Sequence, residues 1–521
     1  MEIKKVEPLQ TTVRDIESGA LKNVKPKDAD LALKVYELDV TEAEMGAVNH
    51  RKLVRKIDLR LIPIMMAAIT LFTMDKATLS YSSIMGIQHD AHLTPNEYSW
   101  LGSIFSLGYM FANFPCALII QKVPLSKWVV ITMSIWGVLL ASMAAGKNYG
   151  SLFAIRLLLG IFEASITPVF VIMTGMWYTR AEQAARLGLW YSGVGLATII
   201  GSPIAWALDS PSASTGSLSS WQLLYVVFGA ITIALAICFY FIVPDSQLSA
   251  KFLTPAERVV AVNRIRVNQQ GIGNRKFKAY QAIEVLKDPR TYLYFAFQFI
   301  ANIGYGAVGT FGSLMLVSLG FESRKALIMT MPHGATTWAG VVVICYFASK
   351  MNDRTLWAGV SALFGIVFGA CLYGLDNNKW GSVIAFYFQQ VFVAAYILNF
   401  SLVSANTAGH TKKVLTNCIL LLGSTSGSMT GPQITKNASV FGLNNTIIFA
   451  HEFIQDPTYE KVKLMMMLAP TICLLILACI RLINIFENRR RDKLQMRDEH
   501  LANSEFLDLT DGENKEFRYQ M

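Results

Sequence analysis

Twelve stretches of about twenty mostly apolar residues recur along this sequence, the length an α-helix needs to cross a bilayer core of about 30 Å. They fall near 59–84, 99–121, 127–146, 150–176, 187–208 and 221–243, then near 292–316, 326–349, 356–375, 381–404, 414–435 and 463–485. Composition agrees. Hydrophobic residues make up 53% of the chain and charged ones only 16%, against about a quarter charged in soluble domains.

The net charge of +10 could suggest nucleic acid, but its distribution argues against that partner. Lys and Arg gather in short segments on alternate sides of the apolar runs, as the positive-inside rule produces. With the N-terminus inside, the inner segments carry Arg51, Lys52, Arg55, Lys56, Lys122, Lys127, Arg180, Arg186, Lys350, Arg354, Lys412, Lys413 and Arg489 to Arg491. The opposite loops 85–98 and 209–220 contain neither Lys nor Arg, whereas 317–325 and 436–462 hold a few. Both termini are therefore expected in the cytoplasm.

This reading yields an all-α membrane protein of twelve transmembrane helices in two six-helix bundles. Its expected divisions are a disordered tail over 1–55, a first bundle over 56–243, a cytoplasmic loop over 244–290, a second bundle over 291–485 and a cytoplasmic tail over 486–521. The start lacks the apolar core of a signal peptide. The central loop is basic and partly amphipathic, which predicts short helices lying on the membrane face. Six plus six suggests two similar bundles that rock about a midplane site. The loops 121–127 and 350–354 form a faint internal echo that supports this, and Lys122, Lys127, Asp353 and Arg354 are candidate gating residues. Asn437 and Asn444 begin glycosylation sequons on a predicted outer loop.

Charges inside the spans carry the sharpest information, because each costs at least about 2.5–3.5 kcal/mol at a helix centre. Span one contains Asp75 and Lys76, and span four contains Arg156 and Glu163. Arg156 and Glu163 lie seven residues apart and share a helix face, with Gly160 between them to admit a close neighbour. Asp75 and Lys76 point about 100° apart and need not share partners. Two readings stand. Either a carboxylate, Glu163 or Asp75, carries a coupling proton while Arg156 or Lys76 receives an anion, or the charges form a fixed pair that locks the helices.

The second half offers amides instead: Gln298 and Asn302 on one face of span seven, and Gln389 and Gln390 on span ten. Asn302, Gln298 and Gln390 are candidate substrate contacts, although helix-to-helix hydrogen bonding is the commoner fate of such groups. His333 and His410 could titrate near neutrality. Trp177, Tyr178 and Trp190 read as interfacial belt residues. The seven cysteines lie in apolar stretches without metal or disulfide spacing. No Walker A sequence or nucleophile–base constellation is visible, so neither ATP-driven transport nor an enzyme is expected.

The run Arg156-Leu157-Leu158-Leu159-Gly160-Ile161-Phe162-Glu163-Ala164, followed by Pro168, Trp177-Tyr178, Glu182 and Arg186, resembles the span-four signature of the anion:cation symporters of the major facilitator superfamily. Phe252-Leu253-Thr254-Pro255-Ala256-Glu257-Arg258, Asn406 to Lys413 and Gly431-Pro432-Gln433 look like the fungal allantoate permease branch. The resemblance covers roughly residues 50 to 495. It implies proton coupling at Asp75 and Glu163 and anion contact at Lys76 and Arg156. Gln121 departs from the acid that many facilitators carry there.

The expectation is a secondary active transporter, a monomer without cofactor, that couples a proton to a small organic anion: a carboxylate, ureido acid, vitamin or sulfur compound. A uniporter, an exchanger and a non-transporting nutrient receptor are the alternatives. The plasma membrane is the default location for this branch, with the endoplasmic reticulum or vacuole as the others.

Overall fold

Apolar length dictates the helices, and small residues then decide how closely they pack. A computed structural model of the chain describes residues 42–120, 122–209, 218–265, 278–375, 378–434, 460–494, 509–514 and 517–521. Gln121, Asn437 and Asn444 lie outside these residues, as do the first 41 positions and most of the loop 436–462.

Twelve long helices run back and forth. The first six are α1 (His50–Ile84), α2 (Asn96–Ile120), α3 (Leu125–Ala145), α4 (Tyr149–Trp177), α5 (Ala181–Leu208) and α6 (Ser220–Ile242). The second six are α7 (Pro289–Ser318), α8 (Arg324–Lys350), α9 (Arg354–Gly374), α10 (Lys379–Asn406), α11 (His410–Ile434) and α12 (Val462–Lys493). Ten of them are long and apolar enough to cross a membrane. The other two, α7 and α11, are 30 and 25 residues long. They pack closely against each other, and part of their polarity meets the first bundle, through Ser313 with Ser80 and Gln433 with Ser103.

Two short helices, Pro255–Ile265 and Ala279–Lys287, lie between the bundles at the end where the lysines and arginines collect. That end is called the basic end here. Large apolar side chains point outward, including Phe241, Leu59, Phe111 and Phe486, each more than 60% exposed. In water such a surface would be costly; in lipid it is the solvated face.

Backbone contact is closest where glycines meet carbonyls. A Cβ built on Gly160 of α4 would sit 2.1 Å from the Phe105 carbonyl oxygen of α2. Gly195 of α5 and Gly334 of α8 join the bundles in the same way, each with a Cβ position 2.6 Å from the other's carbonyl. Helix α4 is interrupted after Glu163 and resumes at Ile166. Pro168 explains the break: its ring clashes with the carbonyl four residues earlier, at Ala164, and it offers no N–H.

The bundles touch at both ends. At the basic end the Ser349 hydroxyl donates to the Ala181 carbonyl at 2.6 Å, and Ser404 to Gln183 at 3.3 Å. At the opposite end Ser80 donates to Ser313 at 3.2 Å, and Gln433 to Ser103 at 2.7 Å. The two bundles therefore meet on both sides of the centre.

Candidate functional site

Between those two closures lies a cavity of about 180 Å³, lined by both bundles. Two cations face it, Lys76 from α1 and Arg156 from α4, and no acid is among its lining residues. The acids stand one layer back. Asp75 and Glu163 are each 0% exposed.

The neighbours Asp75 and Lys76 do take different partners, as their angular separation requires. Asp75 turns into the first bundle. Its Oδ2 accepts from the Trp136 indole at 3.0 Å, and its Oδ1 faces Arg156 Nη1 at 3.5 Å. Arg156 Nη2 donates to the Tyr225 hydroxyl at 2.8 Å, while its Nε has no hydrogen-bond partner. Lys76 turns the other way and places its ammonium 3.7 Å from the centre of the Phe72 ring, with Phe105 at 5.3 Å and Tyr109 at 5.8 Å. Three π faces can stabilise a desolvated ammonium by about 2 kcal/mol. They leave it unpaired and available to an anion.

Glu163 closes the group. Asp75, Lys76 and Arg156 are the charges that act on it, yet neither of its oxygens has a formed hydrogen bond. A buried carboxylate without hydrogen-bond partners is expensive. The four charges singled out in the sequence therefore meet in one cluster. Trp136 and Tyr225, which complete it, were not foreseen. Both are apolar-looking residues on other spans, and nothing in their local sequence distinguishes them from packing aromatics.

The lining residues from the second bundle include no Lys, Arg, Asp or Glu; among them is His333, whose two ring nitrogens lack partners and whose ring stacks on Phe386 at 5.0 Å. Asn302 and Gln390 also line the cavity. Gln298 does not. Its Oε1 accepts from Asn399 at 3.4 Å inside the second bundle, the helix-to-helix role. Tyr191, Tyr305 and Tyr396 add an aromatic cluster that spans the two bundles.

The nominated gating residues separate. Lys122 and Lys127 are exposed. Asp353 pairs with Arg481 of α12 at 2.8 Å, within one bundle. Arg354 is 1% exposed and donates to Ser401 at 2.9 Å. Trp177, Tyr178 and Trp190 are at most 2% exposed and so are core residues, not a lipid-facing belt. Trp190 donates to Thr174 at 2.9 Å.

Comparison with known proteins places this site in context. The Major Facilitator Superfamily profile matches residues 65–432. The allantoate permease of Saccharomyces cerevisiae is 33% identical, over 99% of this chain and 94% of its own. The thiamine pathway transporter of the same yeast is 32% identical, over 96% and 93%. An uncharacterized transporter of Schizosaccharomyces pombe is 34% identical, over 98% and 96%. Among solved structures, the Escherichia coli fucose:proton symporter superposes with a TM-score of 0.56 at 13% identity, over 80% of this chain and 98% of that one. A bacterial homologue of the lysosomal transporter Spinster, inward-facing and unoccupied, gives 0.55 at 18%, over 80% and 95%.

Fold and cavity together define a multi-pass membrane transporter. The chain belongs to the major facilitator superfamily, in the branch that includes the fungal allantoate permease.

Proposed function

We propose that the chain is a proton-coupled symporter of a small organic anion, working by alternating access with its basic end in the cytoplasm. The observation that carries this reading is the layering of charge: cations at the cavity wall, acids behind them. Lys76 and Arg156 balance Asp75 and Glu163, two against two. A bound monoanion leaves one negative charge in excess, and one proton on Glu163 restores neutrality. An uncompensated charge at this depth costs at least about 2.5–3.5 kcal/mol. That is about a hundredfold in the equilibrium between rocking loaded with both ions and rocking with the anion alone.

Lys76 is the first anion contact, since its charge is not committed to a carboxylate. Arg156 is the second and adjusts the Asp75 pair as it binds. The second bundle supplies His333, Asn302 and Gln390 for the neutral part of the substrate. The plasma membrane is the proposed location and a monomer the proposed working unit.

The test is uptake by cells producing the chain, with labelled allantoate and a panel of other small carboxylates. Uptake of at least one should rise when the outside is acidified and collapse with a protonophore. Uptake indifferent to the gradient would leave a uniporter or exchanger. Saturable binding without uptake would leave a receptor.

A further inference from the structure

Beyond α12, residues 510–514 and 517–521 return to the basic end of the second bundle and are held there by an unusual density of polar contacts. Asp511 is 1% exposed. Its carboxylate accepts from Lys412 at 2.7 Å, from Arg290 at 3.1 Å and from the Tyr519 hydroxyl at 2.8 Å. The Tyr519 ring lies 3.9 Å under the Arg290 guanidinium and 4.8 Å from that of Arg491. Two asparagines read the backbone of the segment in both directions. Asn406 donates to the Gln520 carbonyl at 2.9 Å and accepts from its N–H at 2.7 Å. Asn488 does the same to Tyr519 at 2.8 and 2.9 Å. Arg354 donates through its backbone N–H to the Met521 carbonyl at 2.6 Å and through its guanidinium to the Gln520 side chain. Phe517 is fully buried beside Ala408.

These contacts draw on α7 (Arg290), α9 (Arg354), α10 (Asn406), α11 (Lys412) and α12 (Asn488, Arg491). Five of the six helix ends of this bundle are thus gathered on one peptide. Arg290, Lys412 and Arg491 each have an acid partner outside the peptide, Asp288, Glu284 and Glu487, and the peptide ties the three together through Asp511, Tyr519 and three backbone carbonyls, of Asp511, Asn514 and Phe517. One of these helices also makes the closure toward the first bundle: Ser404 of α10, two residues before Asn406, donates to Gln183, beside the Ser349 contact of α8 with Ala181.

We propose that this crease is a binding site for residues 510–514 and 517–521, and that its occupancy sets how readily the basic end opens. With the peptide seated, the five helix ends move as one rigid face and the closure against the first bundle is favoured. With it released, the ties between the helix ends that run through Asp511, Tyr519 and Gln520 are lost and the face loosens. The site recognises a peptide that turns at Thr510 to Asn514, carries an acid in that turn and, eight residues after the acid, a tyrosine. The inference does not depend on the substrate or on proton coupling.

The experiment uses two cysteine pairs in a cysteine-depleted full chain in membranes: Gln183→Cys with Ser404→Cys at the basic end, and Ser80→Cys with Ser313→Cys at the opposite end. Crosslinking rates with a short bifunctional thiol reagent are compared for the intact segment, for Asp511→Ala combined with Tyr519→Ala, and for deletion of residues 509–521. The inference predicts that both lesions slow the basic-end crosslink by about fivefold or more, while the opposite-end crosslink is unchanged or faster. A synthetic peptide of residues 509–521 should restore the rate in the deleted chain. An unchanged basic-end rate would overturn the inference. So would equal loss of both crosslinks without rescue, which would make the segment a folding staple.

Discussion

Replacing Gly160 with alanine tests the packing that holds the charge cluster together. The added Cβ would lie 2.1 Å from the Phe105 carbonyl oxygen and 2.9 Å from the Tyr109 nitrogen. A relaxed carbon–oxygen contact is about 3.3 Å or more, so α4 must retreat from α2 by about 1 Å. Such a gap forfeits a quarter to a half of each contact well of about 0.1–0.2 kcal/mol. Over the several dozen atom pairs of this seam the loss is about 3 kcal/mol, within the usual range for overpacking. Alanine returns about 1 kcal/mol of helix propensity. The net cost is about 2 kcal/mol, which lowers the apparent melting temperature by about 4–8 °C in a bundle of this size. The assay is thermal unfolding in detergent, read by a dye that reacts with cysteines such as Cys116 as they become exposed. Gly304→Ala is the matched control, since nothing lies within 4 Å of the Cβ position there. If Gly160→Ala melts at or above the control, the close seam between α2 and α4 is refuted.

Lys76→Met should raise the apparent KM for the transported anion by about tenfold or more, since a charge-assisted contact is worth about 1.5–3 kcal/mol, and Lys76→Arg should recover part of it; an unchanged KM in competition uptake assays would remove Lys76 from the site. Asp353 offers a test outside the membrane. Partial burial pushes its carboxyl up, but the Arg481 contact and the N–H of Leu356 outweigh that and hold it below the ordinary range. A depressed folded pKa stabilises above the unfolded value of about 3.9 and loses that stabilisation as pH falls through the folded one. Asp353→Ala should therefore cost about 1 kcal/mol at pH 7, after allowance for solvent screening, and progressively less below about pH 4. Melting curves at neutral and acid pH check this, and a gap independent of pH would contradict it.

Much of this architecture is legible from residue order because lipid is an exacting solvent. A helix that must cross a bilayer announces itself by apolar length, and a charge inside it is too costly to be incidental. Asp75, Lys76, Arg156 and Glu163 stood out for that reason, and the 100° turn between the first two left them free to take different partners. Partners on other helices were not legible. Trp136 and Tyr225 reach the cluster only through the packing of α3 and α6 around α1 and α4. The amides divided for a similar reason: Asn302 and Gln298 share a helix face, yet one lines the cavity and the other bonds to Asn399. Trp177, Tyr178 and Trp190 misled because an aromatic near a span end reads the same whether it faces lipid headgroups or a helix core. Arg354 read as a gate charge from its loop position, and its tie to Gln520 and Met521 joins residues that sequence separation gives no reason to connect.

The central claim is that a proton on Glu163 accompanies the anion. The direct measurement compares wild type and Glu163→Gln in proteoliposomes, using a transported labelled carboxylate in two modes: uptake driven by an inward proton gradient, and counterflow against unlabelled substrate without a gradient. The glutamine imitates the protonated acid. The account predicts that gradient-driven accumulation is abolished while counterflow persists. Accumulation that responds to the gradient equally in both proteins would contradict it.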